Sequence, residues 1–399
     1  MNNLDNQVVF AAAGNGKTYS LCSKARSALN STNKYVLLVS YTNEGIRSLE
    51  REYRKQNYGV LDDRVIFKTW YSFLLSDFIK PYQCELRLKE KIYKQEHMVT
   101  LPENYISSIA FYSEETPPKW FNKSHFRYFI NQNGDVVPDR ASHLALLCNE
   151  HSAGKAIARI EEIYSYIFID ELQDYAGWDL EIFSLLFRST IPITCVGDYK
   201  QATYRPNNSP KNKQYRDEKV RDYFLMLKSS GLCDVEYDNT TRRFNQEICD
   251  FINTIHMDPV AEVIVSPEIQ QDVTDNCGVY ILSEDDLEAY CEKYHPVVLR
   301  YDKRAKIPFN HTCDVFNYGA SKGATYDRVV IVPVSTALPF LQEQKIITSD
   351  KTRAKFYVAC TRAKYSIVFA MKNPTANTAF QKAKILCEGK MLSAYKFKK

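Results

Sequence analysis

The sequence predicts an α/β fold of two domains, each built on a mostly parallel sheet, and three features carry that prediction. Short apolar runs bounded by polar or turn residues recur along the chain, as strands buried on both faces do. Helical patterns separate those runs, so consecutive strands can lie parallel. The length, 399 residues with 45% hydrophobic and 25% charged, supplies one or two full cores.

In order, a buried strand is expected over 8–12, then a glycine-containing loop and a helix over 18–27. A second strand over 35–40 and a helix over 44–55 follow, with further strands over 64–68, 166–169 and 193–196. Between 74 and 158 the pattern breaks at Pro81, Pro102, Pro117, Pro118 and the Asn133-Gly134 turn, which reads as an insertion. Beyond the polar, proline-containing stretch 205–221, apolar runs at 232–237, 279–282, 297–299, 329–334 and 366–370 alternate with helical segments such as 246–255. The expected organisation is a first domain over 1–75 and 155–225, an insertion over 76–154 and a second domain over 226–399.

Composition excludes more than it selects. No window approaches the roughly eighteen apolar residues that span a membrane. The polar stretch 1–7 leads into the loop rather than to a small-residue cleavage site, so no signal peptide is expected. Eleven cysteines without a CxxC pair read as reduced thiols, which predicts a cytoplasmic protein with no membrane partner. A net charge of +4 is compatible with a polyanion but does not require one. The 28 tyrosines and 21 phenylalanines fill cores by default and can also stack bases.

Two segments carry chemistry. Ala11-Ala12-Ala13-Gly14-Asn15-Gly16-Lys17-Thr18 stands between a strand and a helix, where small residues let backbone N–H groups approach phosphates. Lys17 supplies a point charge there, and the Thr18 hydroxyl can ligate Mg²⁺. Asp170-Glu171-Leu172-Gln173-Asp174 follows an apolar run, at the strand end where open α/β sheets bind ligands. Asp170 is placed to hold the metal through water and Glu171 to orient and deprotonate an attacking water.

Together with later segments in the same order, these motifs resemble the superfamily-one helicases of the UvrD, Rep and PcrA type. The loop has that group's A-x-A-G-x-G-K-T form, and 170–174 is similar to its D-E-x-Q-D. Tyr41-Thr42-Asn43, the run Thr69 to Phe73, and Gly197-Asp198 through Gln201 to Tyr204 resemble the motifs between. Thr241-Arg242-Arg243-Phe244, Ser321-Lys322-Gly323 and Tyr357 to Ala363 resemble those of the second domain.

The resemblance implies two RecA-like domains that bind ATP and Mg²⁺ and act on single-stranded DNA or a tailed duplex with 3′ to 5′ polarity. It assigns nucleotide contacts to Ala13, Gly14, Asn15, Gly16, Lys17, Thr18, Gln173, Arg242 and Gly323, and metal to Thr18 and Asp170. Hydrolysis falls to Glu171, Gln201, Arg243 and Arg362, the last as an arginine finger. Tyr41, Thr42, Asn43, Thr69, Tyr71, Tyr204, Ser321 and Lys322 are expected to contact DNA.

Departures from the pattern temper the DNA-handling part. Arg205-Pro206 stands where relatives carry a stacking tryptophan, and Thr325 where a glutamate is common. Arg243 and Lys322 lie too close in sequence for the large second-domain insertion, which is expected to be largely absent. The remaining insertion contains Lys119, Trp120, Lys123, His125, Arg127 and Tyr128. The compact form resembles small UvrD-like components of bacterial anti-phage systems such as Gabija. The alternative expectation is therefore a DNA-sensing ATPase subunit serving a nuclease or effector.

Overall fold

A computed structural model describes residues 5–92, 95–110, 123–203, 209–266 and 275–398. It divides into two units, each described by itself: the described parts of Met1–Val9, Lys17–Gly197 and Arg205–Glu236, and those of Phe10–Gly16, Asp198–Tyr204 and Tyr237–Lys399.

The first unit carries strands β1 (Gln7–Ala11), β2 (Tyr35–Ser40), β3 (Val65–Thr69), the hairpin strands β4 (Leu88–Ile92) and β5 (Gln95–Val99), then β6 (Tyr164–Ile169), β7 (Ile193–Gly197) and β8 (Asp234–Asp238). The main sheet runs in the order β3-β2-β6-β7-β1-β8. β2 pairs in parallel with β3 and β6, and β6 with β7. The helix expected over 18–27 runs Lys17–Leu29, and its Leu21, Cys22 and Ala25 pack with Val36, Leu38 and Phe168. The helix expected over 44–55 runs Asn43–Gln56, capped by Thr42 accepting from Gly45 N–H, and buries Leu49 and Tyr53 in the same core.

The stretch 74–158 contains the antiparallel β4/β5 hairpin and helices Ala141–His151 and Lys155–Ile163. Lys119, Trp120, Pro117 and Pro118 lie outside the described residues. The junction is fixed at its root: Lys68 donates to Asp77 at 2.5 Å and to the Tyr164 hydroxyl at 3.0 Å, and the Leu74–Ile79 turn is a π-helix. His143, on the Ala141–His151 helix, stacks on Trp178 with ring centroids 3.7 Å apart.

Burial, with Lys123 and Lys211 nearby, lowers the His143 pKa from 6.5 to about 4. The folded chain therefore holds this imidazole neutral, while the unfolded chain protonates it as pH falls through 6.5. Stability from this group is present above 6.5 and is lost as pH drops toward 4. Between pH 7 and pH 5 the wild type is expected to lose about 2 kcal/mol that His143→Phe retains. Urea midpoints at the two pH values test this, and equal losses would exonerate His143.

The second unit holds β9 (Thr240–Thr241), β10 (Ile264–Val265), β11 (Gly278–Ser283), β12 (Val297–Arg300), β13 (Val315–Asn317), β14 (Tyr326–Ile331), β15 (Ala363–Met371), β16 (Phe380–Cys387) and β17 (Lys390–Phe397). Seven of these form a sheet in the order β13-β12-β14-β15-β11-β17-β16. β12, β13, β14, β15 and β11 are parallel neighbours, whereas β17 joins β11 antiparallel and pairs with β16 as a hairpin.

Alternation along the strands fills both faces. Val279, Ile281, Val329, Ile331, Ile367 and Phe369 pack against the helices Gln246–His256 and Asp350–Cys360. Tyr280, Leu282, Val330, Val368 and Ala370 pack against Leu287, Tyr290 and Cys291 of the Leu287–Tyr294 helix. The α/β class with mostly parallel sheets is thus as the sequence predicts.

Candidate nucleotide and nucleic-acid sites

In the first unit, the apolar end of β6 delivers the acidic turn. Ile167 and Ile169 are fully buried, and Asp170 is 4% exposed with its N–H donating to the Val39 carbonyl at 2.8 Å. Asp170 Oδ1 accepts from Glu171 N–H at 2.8 Å, and Oδ2 accepts from the Thr18 hydroxyl at 3.5 Å. Glu171 adopts a left-handed backbone, φ 55°, which costs a residue with a side chain about 1–2 kcal/mol. Its carboxylate accepts from the Gln173 side-chain amide. Gly197 at the end of β7 makes room for the turn: a Cβ there would lie 2.6 Å from Gln173 Oε1 and 2.7 Å from Leu172 Cβ.

Lys17 and Thr18 open the Lys17–Leu29 helix, whose N-terminal N–H groups and dipole favour an anion. The Thr18 hydroxyl and Asp170 carboxylate are hard oxygen donors on two segments, the kind Mg²⁺ takes. No cluster of three or more His, Cys, Asp or Glu side chains suited to a metal occurs among the described residues. Mg²⁺ is commonly held by one or two protein oxygens with phosphate and water supplying the rest. The residues present therefore fit a magnesium nucleotide.

The expected strand-contact residues of this unit divide by exposure. Thr42 and Asn43 are exposed. Tyr41 and Tyr71 are buried, with their hydroxyls hydrogen bonded at 3.0 Å and rings 5.5 Å apart. Thr69 caps the short Trp70–Phe73 helix by accepting from Ser72 N–H. Burial, Asp179 and Tyr71 raise the Tyr41 pKa well above the ordinary phenol value, so Tyr41 stays protonated. Tyr204, Arg205 and Pro206 lie outside the described residues.

In the second unit, Ala13, Gly14 and Asn15 meet the segment 240–243. The Thr241 hydroxyl donates to the Ala13 carbonyl at 2.8 Å, Arg242 N–H to that of Gly14 at 2.9 Å, and Arg242 Nη1 to that of Asn15 at 2.8 Å. Asn15 Nδ2 donates to the Thr240 carbonyl at 3.1 Å. Gly14, φ 77°, is required here, because a Cβ would stand 2.4 Å from Arg243 Cβ. Gly16 also has positive φ, at 97°. Burial pushes the Asp238 carboxyl up, but hydrogen bonds from Asn15 and Thr240 outweigh it and hold its pKa below the usual value.

The same unit gathers Gln201, Arg243 and Arg362. Arg243 Nη1 donates to the Thr361 carbonyl at 3.0 Å. Arg362 is 1% exposed and donates to the Val358 carbonyl at 2.9 Å, the Ala324 carbonyl at 3.2 Å and Gln201 Oε1 at 3.4 Å. Gln201 in turn donates to Asp198 at 2.8 Å. Ser321 is fully buried, its hydroxyl donating to the Tyr318 carbonyl at 2.8 Å, while Lys322 is half-buried and Gly323 exposed. Sequence reasoning missed Asp198 as the partner of Gln201, and Asp238 and Thr240 as the brace of the loop. The only sequence signal for any of them was that Asp198 begins a recognised motif.

Residues 77–213 match the family model described as "UvrD/REP helicase N-terminal domain", a span that includes the whole acidic turn. The match covers about a third of the chain, and over that span the chain is similar to UvrD/REP-type helicases. No curated protein matches this chain. Among solved structures, the Arterivirus nonstructural protein 10 helicase is similar at 13% identity and a TM-score of 0.44, covering 93% of this chain and 60% of that one. The same Arterivirus helicase in complex with DNA is similar at 12% identity and a TM-score of 0.42, covering 92% and 61%. The chain thus spans about 60% of the length of the viral proteins it matches. No described helix is long and apolar enough to cross a membrane.

Proposed function

We propose that this UvrD-like chain is a DNA-stimulated ATPase that moves 3′ to 5′ along single-stranded DNA and separates a tailed duplex. The observation that carries the proposal is the Thr18–Asp170 pair at 3.5 Å, set beside a Glu171 carboxylate that Gln173 holds. The UvrD/REP match supports a helicase-type ATPase.

In this reading the Gly14–Gly16 backbone and Lys17 bind the phosphates of ATP. Thr18 and Asp170 hold Mg²⁺, which when bound neutralises charge on the β- and γ-phosphate oxygens. Glu171 accepts the proton of the attacking water, and Gln173 fixes its orientation. Arg243 and Arg362 neutralise charge that grows on the transferred group, with Gln201 orienting Arg362 through the 3.4 Å contact. Arg242 packs the base, and Gly323 contacts the nucleotide. Thr42, Asn43, Thr69, Tyr204 and Lys322 serve the strand, with Tyr41, Tyr71 and Ser321 packed behind them.

ATPase rate with and without a single-stranded oligonucleotide, alongside unwinding of duplexes tailed at either end, tests the proposal. Stimulation and unwinding restricted to the 3′-tailed duplex are expected. Absence of stimulation by any nucleic acid would refute the motor. Stimulation without strand separation on either duplex would favour a DNA-sensing subunit of a nuclease or effector complex.

A further inference from the structure

Asp179 begins the Asp179–Leu186 helix, five residues after the acidic turn, and is 1% exposed. Its carboxylate joins two segments distant in sequence to the stretch just before its own helix. Oδ1 accepts from Trp70 Nε1 at 3.0 Å and from the Ser142 hydroxyl, and Oδ2 accepts from Ala176 N–H at 3.3 Å. Trp70 belongs to the short helix that Thr69 caps, Ser142 to the Ala141–His151 helix, and Ala176 to the stretch that runs from the acidic turn to Asp179. Beside it, the Tyr175 ring lies 4.9 Å from Trp70 and 5.1 Å from Tyr41. The adjacent His143–Trp178 stack closes the same junction a second time.

A buried carboxylate is a costly way to hold a core, since apolar side chains of similar volume often serve stability as well or better. What it adds is directional connection: two hydrogen-bond faces that fix the turn against Trp70. Tyr175 also leaves its hydroxyl without a hydrogen-bond partner among the described residues.

We infer that Asp179 is a positioning residue that links the Asp170–Asp174 turn to the Trp70 helix, so that a strand engaged at Thr69 changes hydrolysis at Glu171. The inference rests on the function proposed above.

Two variants test it. Asp179→Asn can keep the acceptor for Trp70 while presenting an amide donor to Ala176 N–H, and Trp70→Phe keeps an aromatic ring in the stack while deleting the indole donor and part of its volume, which the Tm reports. Each is measured for ATPase across an oligo-dT titration and for Tm. Both are expected to keep the DNA-free kcat and the KM for ATP within about twofold while losing most of the DNA-stimulated kcat, and the double variant to do no worse than either single one. Full stimulation in both variants overturns the inference alone. So does a proportional fall of basal and stimulated rates with a lower Tm, which is the signature of a merely structural brace. A wild type that no nucleic acid stimulates overturns the proposed function and this inference with it.

Discussion

Arg362→Ala is expected to slow ATP hydrolysis by about 10³–10⁵, the range found for removal of a transition-state arginine in phosphoryl transfer. The expected KM for ATP changes little, because charge on the transferred group grows only on the way to the transition state. The surroundings of Arg362 complicate a bare alanine result. Its guanidinium is buried and donates to the carbonyls of Val358 and Ala324 and to the hydroxyl of Thr361. Deleting it strands those acceptors, at about 1–3 kcal/mol for each that stays dry.

Arg362→Lys separates the two effects. Lysine retains the charge but not the planar fork, so it cannot satisfy the same set of acceptors. A folded Arg362→Lys chain, checked by its Tm, should still lose about 10²-fold or more in kcat. Near-normal kcat in that variant would make Arg362 a brace of the 357–363 segment. Arg243, tied to the Thr361 carbonyl at 3.0 Å, would then be the remaining candidate.

The elements that a local pattern specifies were legible in the sequence. The run 246–255 has apolar residues on one helical face, and the helix Gln246–His256 buries Ile248, Phe251, Ile252 and Ile255. The strand expected over 366–370 is the middle of β15, Ala363–Met371. The β16/β17 hairpin was not anticipated. Its outward Lys382 and Lys384 blunt an edge strand and leave only Ile385, Cys387, Leu392 and Ala394 as buried apolar markers after Phe380.

The same division holds at the site. Lys17, Thr18, Asp170 and Glu171 act within contiguous motifs, so residue order alone pointed to them. Asp179 reads as an ordinary helix-start carboxylate, because its hydrogen bond from Trp70 spans 109 residues of sequence. Tyr41 and Tyr71 resembled stacking platforms, yet composition cannot distinguish a ring facing a strand from one packed inward, as both are here.

Glu171→Gln is expected to lower kcat by about 10²–10⁴ while leaving ATP binding nearly intact, since it removes a proton acceptor and little volume. The geometry makes this a clean substitution. The left-handed backbone at Glu171, φ 55°, directs the side chain from the end of β6, and Gln173 donates to its carboxylate. A glutamine can rotate its amide to present oxygen to the same donor, so the turn keeps its shape. Neither the Thr18–Asp170 pair nor Lys17 is altered, so the phosphate contacts that set affinity persist. Lys17→Ala should behave oppositely, weakening binding of a fluorescent ATP analogue through loss of the charge beside the phosphates. Equilibrium binding and single-turnover hydrolysis on both variants divide phosphate capture from bond cleavage. Near-normal turnover in both would place the hydrolytic centre away from the β6 turn.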